Sequence, residues 1–549
     1  DKGNRKTKTV THSYDVTSIS SAFSRNISVS HITLPSSVKS LGNAFYGCSA
    51  LKSVNLNYVA TIGDWTFQGC TSLEKMDIPP SVMTIGGYAF AYCSGLTSVT
   101  IPSSVTNIGG YAFSGCTSLT SIETPDTLRH IGAFAFSDCT SLKRATLMGT
   151  DLDVAGALFM RCTALEYVVI GQGISSIADG WSYDDAFGMF SHCTNLKTVE
   201  ILTDRVKYLP KYMFYRSGIE RLILSGGFEE VGAWAFIGCS KLESIEGPFA
   251  PVSIGCAAFS GCGKLKGNID FSNCTSLGES AFSECSSLNC TINLTQMKSI
   301  GFHVFANCAA LENVEIPNVE NIGSSAFSNC SSLKTVNFSQ SLTNIDTRAF
   351  SCCSSMRSVE LPKSLKYLGT DSFQGCSGLK SVKVDGDDLV MASSVFRKCL
   401  GLEEVVIGPG VVSIAQGNAY SGLWDTDYYS LFEGCASLKT VDIQSTKITF
   451  VQKYMFRNSS VQKVKFAGVI STIYDYAFYG CSSLKSLEGE IRPYSIRTGA
   501  FQGCRNFVGG IDFSRCTSIA GSAFEGCRSL SDILCLPKVR EIKSYSFRD

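Results

Sequence analysis

This chain of 549 residues lacks an excess of charge of either sign and a long apolar run, and it has little histidine, the commonest acid-base residue of enzymes. Lys plus Arg and Asp plus Glu number 47 each, so the charge balance points neither to nucleic acid nor to an anionic membrane surface. No apolar stretch approaches the roughly 18 residues required to span a bilayer, which argues against direct membrane insertion. The five histidines, His12, His31, His130, His192 and His303, are scattered with no recurrent acid or nucleophile beside them. His130 and His303 read as packing variants near buried repeat positions, and no catalytic residue is expected. A phosphate-cradling G-x-x-x-x-G-K-[ST] run is absent, as is a Cys-x2-Cys pair with matching His, so no cofactor and no metal is expected. The opening "DKGNRKTKTV" has no initiator Met and reads as the start of a processed or trimmed chain.

What the chain does have is 44% hydrophobic residues, enough for sizeable cores, and a single arrangement written over and over. "IGGYAFSGCTSLTSI" (108–122) carries an Ala-Phe pair, a Cys and a Leu at fixed offsets. In 19 repeat units the Phe is followed three positions later by Cys, from Phe45/Cys48 to Phe524/Cys527. Four further units, at Phe23, Phe214, Phe456 and Phe547, keep the Phe without the Cys, and the period is 22 or 23 residues almost everywhere. Self-similarity at this period is the signature of a solenoid.

Each unit has a physical reading. After the Cys comes Leu-x-x-Val-x-Ile, as in "LTSVTI" (Leu96 to Ile101), whose alternation predicts one short half-buried strand per coil, stacked into a parallel sheet. "PSSVTNIGG" (Pro102 to Gly110) then predicts a turn, a second apolar pair Val105/Ile108, and a Gly at positive φ. Ala112 and Phe113 point inward. The Phe rings are expected to form a continuous spine with the Cys thiols, as small apolar groups, stacked beside it. No coil buries its apolar face alone, so stability belongs to neighbouring pairs.

The unit resembles the BspA-like, or Treponema-type, subclass of leucine-rich repeat, from about Ser20 to Phe547. The resemblance implies cell-surface or secreted proteins of bacteria and protists, several tied to adhesion, and none an enzyme by virtue of the repeat. The expected fold is an α/β-type repeat solenoid dominated by short parallel strands: a curved right-handed leucine-rich-repeat array of about 22 to 23 coils, roughly 100 to 110 Å long at strand spacing, with the sheet on its concave face. Residues 1–20 read as an irregular N-terminal segment or partial cap, and 21–549 as one continuous solenoid. The last unit stops at "YSFRD", before its Cys and strand, so the array is expected to continue beyond it.

A longer period overlies the short one. "GNIDFSNCTSLGESAF" from Gly267 matches "GGIDFSRCTSIAGSAF" from Gly509 at an offset of 242, which reads as a tandem block duplication, about 137–305 and 374–547. Two units are enlarged, Phe159 to Phe190 and Phe396 to Phe432, and each precedes a Cys-less unit containing "KYMF". The additions, "ADGWSYDDAFGM" (178–189) and "AQGNAYSGLWDTDYYSL" (415–431), are expected to be loops. They bring Trp181, Tyr183, Asp184 and Asp185, and Trp424, Asp425, Asp427, Tyr428 and Tyr429, a composition suited to partner contacts. The alternative is that these aromatics fold back over their own coil.

Between the last two apolar positions of the strands stand Asp77, Glu123, Glu200, Glu246, Asp270, Glu315, Glu360, Asp442, Glu488 and Asp512. Such an acidic column either is neutralised by the basic residues that follow the repeat Leu (Lys52, Lys143, Lys197, Lys334, Arg357, Lys380, Lys439 and Lys485), or awaits a cationic partner or loosely held calcium. The 25 cysteines read as mostly reduced, inert thiols. Asn26, Asn273, Asn289, Asn293, Asn329, Asn337 and Asn458 begin N-glycosylation sequons. Taken together these features point to a non-enzymatic surface or secreted module that binds a protein or glycan partner. A spacer or filament former that self-associates, or an intracellular scaffold, are the alternatives.

Overall fold

In the coil around Phe90, three stretches of backbone bond to the coils before and after it. The computed structural model describes residues 16–182, 186–267, 269–416, 418–421, 426–530 and 535–549. The strand predicted after the Leu is present: Lys75–Asp77 pairs in parallel with Ser98–Thr100, residue 76 beside 99. A second strand, unforeseen in the sequence, runs through the Ile of the turn segment. Thr61–Ile62, Thr84–Ile85, Asn107–Ile108 and His130–Ile131 are parallel neighbours in an eight-stranded sheet that runs from Ser18–Ile19 to Ile174–Ile177.

The third ladder lies in the turn around the Phe. There the N–H groups of Tyr88, Phe90 and Tyr92 donate to the carbonyls of Gly110, Ala112 and Ser114 in the next coil, while those of Ala91 and Cys93 close turns within their own. This alternation requires left-handed backbone twice per coil, at Tyr88 (φ 55°) and Tyr92 (φ 59°), and the same two offsets recur through the array. A helix needs an unbroken right-handed run with bonds four residues apart, so these turns exclude it. The expected α/β character is therefore corrected: the described residues form a parallel-strand β-solenoid of leucine-rich-repeat type whose one helical element is the 3-10 turn Phe513–Arg515.

The glycines of the "IGG" run also differ from expectation. Gly109 and Gly110, and Gly132 at the equivalent place in "IGA", are not at positive φ. Gly109 and Gly132 are required because successive coils touch there: a Cβ on Gly109 would lie 2.5 Å from the Gly87 nitrogen, and one on Gly132 2.3 Å from the Gly110 nitrogen.

Contacts group the chain into two compact units, 1–228 with 245–248 and the remainder to 549. In the first, Phe23, Phe45, Phe67, Phe90, Phe113, Phe136, Phe159, Phe190 and Phe214 stack in sequence, with adjacent ring centroids 5.1 to 5.8 Å apart. In the second the spine runs from Phe236 to Phe547, widest at Phe396–Phe432 (6.1 Å), where extra residues intervene. Beside each spine the repeat cysteines are buried and reduced. Each thiol has a specific partner: Cys70 Sγ donates to the Phe45 carbonyl (3.2 Å), Cys93 to Phe67 (3.0 Å), and Cys376 to Phe350 (3.1 Å). In the Cys-less coils the position falls to Ser217 and Ser459, both buried, and the Ser459 hydroxyl lies 3.5 Å from the Cys481 thiol.

Candidate functional site

The enlarged units fold as β-hairpins rather than as open loops. In the first, Trp181–Ser182 pairs antiparallel with Ala186–Phe187; in the second, Asn418–Ser421 pairs with Thr426–Tyr429, setting Ala419 opposite Tyr428 and Tyr420 opposite Asp427. Tyr183, Asp184, Asp185, Trp424 and Asp425 lie outside the described residues, and of Asp427, Tyr428 and Tyr429 only the strand placement is described. The Trp181 ring is 38% exposed and meets Phe134 edge-on at 5.5 Å, with Phe187 6.2 Å away.

Both hairpins are latched by the "KYMF" coil that follows. The Gly180 N–H donates to the Lys211 carbonyl (2.9 Å), and the Lys211 N–H to Asp179 Oδ1 (2.9 Å). In the second, Gln452 Nε2 donates to the Ile414 carbonyl (2.8 Å) and the Lys453 N–H to Gln416 Oε1 (3.4 Å). At the root of the second hairpin the buried Arg397 Nε sits 3.0 Å from Glu433 Oε2, and Arg457 Nη1 reaches Glu433 Oε1 at 3.5 Å. A buried carboxylate between two guanidiniums fixes geometry more than it adds stability.

The first hairpin extends an aromatic ladder that sequence reading missed. Trp65, Tyr88, Tyr111 and Phe134 occupy the left-handed position two residues before the Phe in successive coils, and their rings stack at 6.3, 4.6 and 4.7 Å before meeting Trp181. The signal is present as "DWTF", "GYAF", "GYAF" and "AFAF", but the invariant Phe of each unit overshadows the aromatic two residues before it.

The strand-face acids are spaced apart rather than stacked. Registered neighbours are neutral or basic: Asp77 beside Thr100, Glu123 beside Thr146, Glu200 between Val169 and Ile223, Glu315 between Asn293 and Asn337, and Glu360 beside Lys383. Asp442 and Glu488 flank Lys465, which the sequence reading overlooked because its coil has no Cys. Further partners come from the strands themselves. Arg221 forks onto Glu246 (2.9 and 3.0 Å), Lys463 Nζ meets Glu488 at 2.7 Å, and the hydrogen-bonded Glu200 carboxylate pushes the Tyr167 hydroxyl up. Asp270 and Asp512 stand outside the strands, where they accept the Ser272 and Ser514 amides (2.9 and 2.8 Å); the two serines, through the amide first at Asp270 and the hydroxyl first at Asp512, hold these carboxyls below the usual range.

Among the described residues, the ion pairs of the post-Leu lysines lie outside this column. These lysines pair along their own: Lys197 with Glu166 at 2.8 Å, Lys334 with Glu312 at 2.7 Å, Lys439 with Glu403 at 2.5 Å. Among the histidines, His130 Nδ1 lies 3.3 Å from Asp153 on the surface, and His303 stacks on Phe302 at 3.7 Å. Of the sequon asparagines, Asn273, Asn289, Asn329, Asn337 and Asn458 are exposed, Asn26 is half-buried with its Oδ1 accepting from Ser28 and Val29, and Asn293 has its amide oxygen buried without a partner. No helix among the described residues is long and apolar enough to cross a membrane.

The profile of the BspA type leucine rich repeat region matches residues 2–116, 84–184, 186–289, 298–423 and 428–549. A leucine-rich repeat protein of Bacteroides ovatus is 25% identical over 69% of this chain and 87% of its own, with a TM-score of 0.43. A leucine rich cell surface protein of Faecalibacterium prausnitzii is 23% identical over 68% and 86%, with a TM-score of 0.34. The leucine rich repeat protein of Treponema pallidum is 21% identical over 49% and 82%, at 0.24. No curated protein matches. With the repeat profile covering nearly its whole length, the chain belongs to the BspA type leucine-rich-repeat family.

Proposed function

We propose that this protein is a non-enzymatic, cell-surface or secreted binding module that engages a protein or glycan partner through its two hairpins and the neighbouring strand face. The observation carrying this reading is that the repeat is interrupted twice, each time by an antiparallel hairpin latched by a specialised Cys-less coil. A repeat kept only for length needs no such latch, whereas a recognition element on a rigid scaffold must be held in place. The exposed Trp181 ring, backed by Phe134 and Phe187, is an anchor of the kind that dominates interface energetics.

The test is binding of the whole chain to immobilised extracellular-matrix proteins and to a glycan array, with and without Trp181→Ala and Trp424→Ala. Saturable binding that the double variant weakens by at least tenfold, about 1.4 kcal/mol, is expected. End-to-end association in light scattering with no saturable ligand would establish the spacer reading instead.

A further inference from the structure

The post-Leu column contains one irregularity. Along most of the chain its basic residues alternate with acidic or neutral ones, as in Lys143, Glu166, Lys197 and Glu220, or Lys439, Gln462 and Lys485. At Lys334, Arg357 and Lys380 three cations follow one another in consecutive coils, and nowhere else in the column are even two consecutive. Backbone bonds join Lys380 N–H to the Arg357 carbonyl and Glu403 N–H to that of Lys380 (2.9 and 2.8 Å), Lys334 N–H bonds back to the Glu312 carbonyl (2.9 Å), and the coils of Lys334 and Arg357 are joined just before the column by Ser355 N–H to the Ser331 carbonyl (3.1 Å). Arg357 and Lys380 therefore leave the backbone at about the 4.8 Å inter-strand spacing, with Lys334 on the adjoining coil, where like charges repel.

The flanking coils relieve only the ends. Lys334 Nζ is 2.7 Å from Glu312, and Lys380 Nζ is 3.4 Å from Glu403, which Lys439 shares at 2.5 Å. Arg357, between them, is exposed and has no ion-pair partner among the described residues. The three cations line an open cavity of about 690 Å³ whose other walls are Thr335, Ser354, Ser355, Ser358, Ser377 and Gly378. The hydroxyls of Ser355, Ser358 and Ser377 make no hydrogen bond among the described residues and are free to serve a ligand. The lining holds no carboxylate and no aromatic or aliphatic side chain.

We propose that this groove binds an acidic glycan: a sulfated or carboxylated oligosaccharide whose anionic groups engage Lys334, Arg357 and Lys380 while its hydroxyls meet the serines. Guanidinium and ammonium groups with hydroxyl donors match sulfate or carboxylate oxygens. The repeat of charge at strand spacing is comparable to the length of a sugar ring. The absence of an apolar pocket disfavours an acidic peptide, which would need an anchor side chain for affinity. The groove shares no residue with either hairpin and does not depend on their role.

The test is isothermal titration of the full chain with a size-defined sulfated heparin hexasaccharide, its fully desulfated counterpart, a poly-glutamate peptide and inorganic sulfate. The hexasaccharide should bind saturably, and Arg357→Gln should weaken it roughly tenfold to a hundredfold, as loss of a charged hydrogen bond does. Lys334→Gln/Lys380→Gln should act in the same direction. Lys143→Gln/Lys485→Gln, which removes two charges from the same column elsewhere, should stay within twofold, and circular dichroism should be unchanged in all variants. Equal losses in this last variant, equal binding of the desulfated sugar, poly-glutamate or sulfate alone, or no binding of the hexasaccharide, would each overturn the assignment. Loss of this binding with hairpin-dependent binding intact overturns this site alone, and the converse overturns only the hairpin reading.

Discussion

At the scale of single residues the repeat is held by groups that must stay neutral. Burial pushes the thiols of Cys93 and Cys376 from 9.0 up to about 12, while each donates to a Phe carbonyl of the preceding coil. A folded-state pKa raised above the unfolded value contributes stability that is whole below about pH 9 and is lost as the pH rises towards 12. Over that window the loss amounts to about 4 kcal/mol per buried thiol. Urea midpoints should therefore be level from pH 7 to 8.5 and fall steeply above 9. The fall should be shallower in Cys93→Ser/Cys376→Ser, since Ser217 and Ser459 already fill this position. Identical alkaline slopes for the variant and the parent would refute this account. The burial of these thiols was legible in the sequence, because Cys recurs three positions after the Phe in 19 units; their hydrogen bonds were not, because the acceptor belongs to another coil.

At the scale of elements, periodicity identified the strand after each Leu but not the second strand, which is two residues long in most coils. So short a segment shows no alternation, and its pairing is dictated by the coil alongside. The same contact explains the glycines. Gly132→Ala would press a Cβ into the Gly110 backbone at 2.3 Å, whereas at the equivalent Gly301 the nearest atoms are at 3.6 and 4.0 Å. Equilibrium urea unfolding should show a loss of about 1 to 3 kcal/mol for Gly132→Ala, and a neutral or slightly stabilising effect for Gly301→Ala. Equal effects would mean that coil contact is not what demands glycine. The hairpins were visible as insertions, yet their antiparallel pairing and their latches at Lys211 and Lys453 depend on neighbours 30 or more residues away.

At the scale of the whole molecule, stability is a chain of neighbour contacts, since each coil meets only those on either side. Phe327 stacks between Phe305 and Phe350 at 5.4 and 5.3 Å, and Phe327→Ala should cost about 3 to 5 kcal/mol. Hydrogen exchange should show lost protection in the coils of Phe305 and Phe350, with that around Phe478 unaffected. Uniform loss through the second unit would instead mean that it melts as one cooperative body.

The sequence by itself determined the repeat, its period, the Phe spine, the burial of the cysteines and the two places where the pattern is interrupted. Each of these is set within one coil, by apolar spacing that recurs until it cannot be mistaken. Only the tertiary structure decided what lies between coils: the all-β character, the close approach at the glycines, the alternation of acids with neutral or basic neighbours on the strand face, and an Arg357 that stands between two lysines and has no ion pair among the described residues. These depend on which residues become neighbours 22 or 23 positions apart, a relation set by register and backbone hydrogen bonding rather than by local pattern.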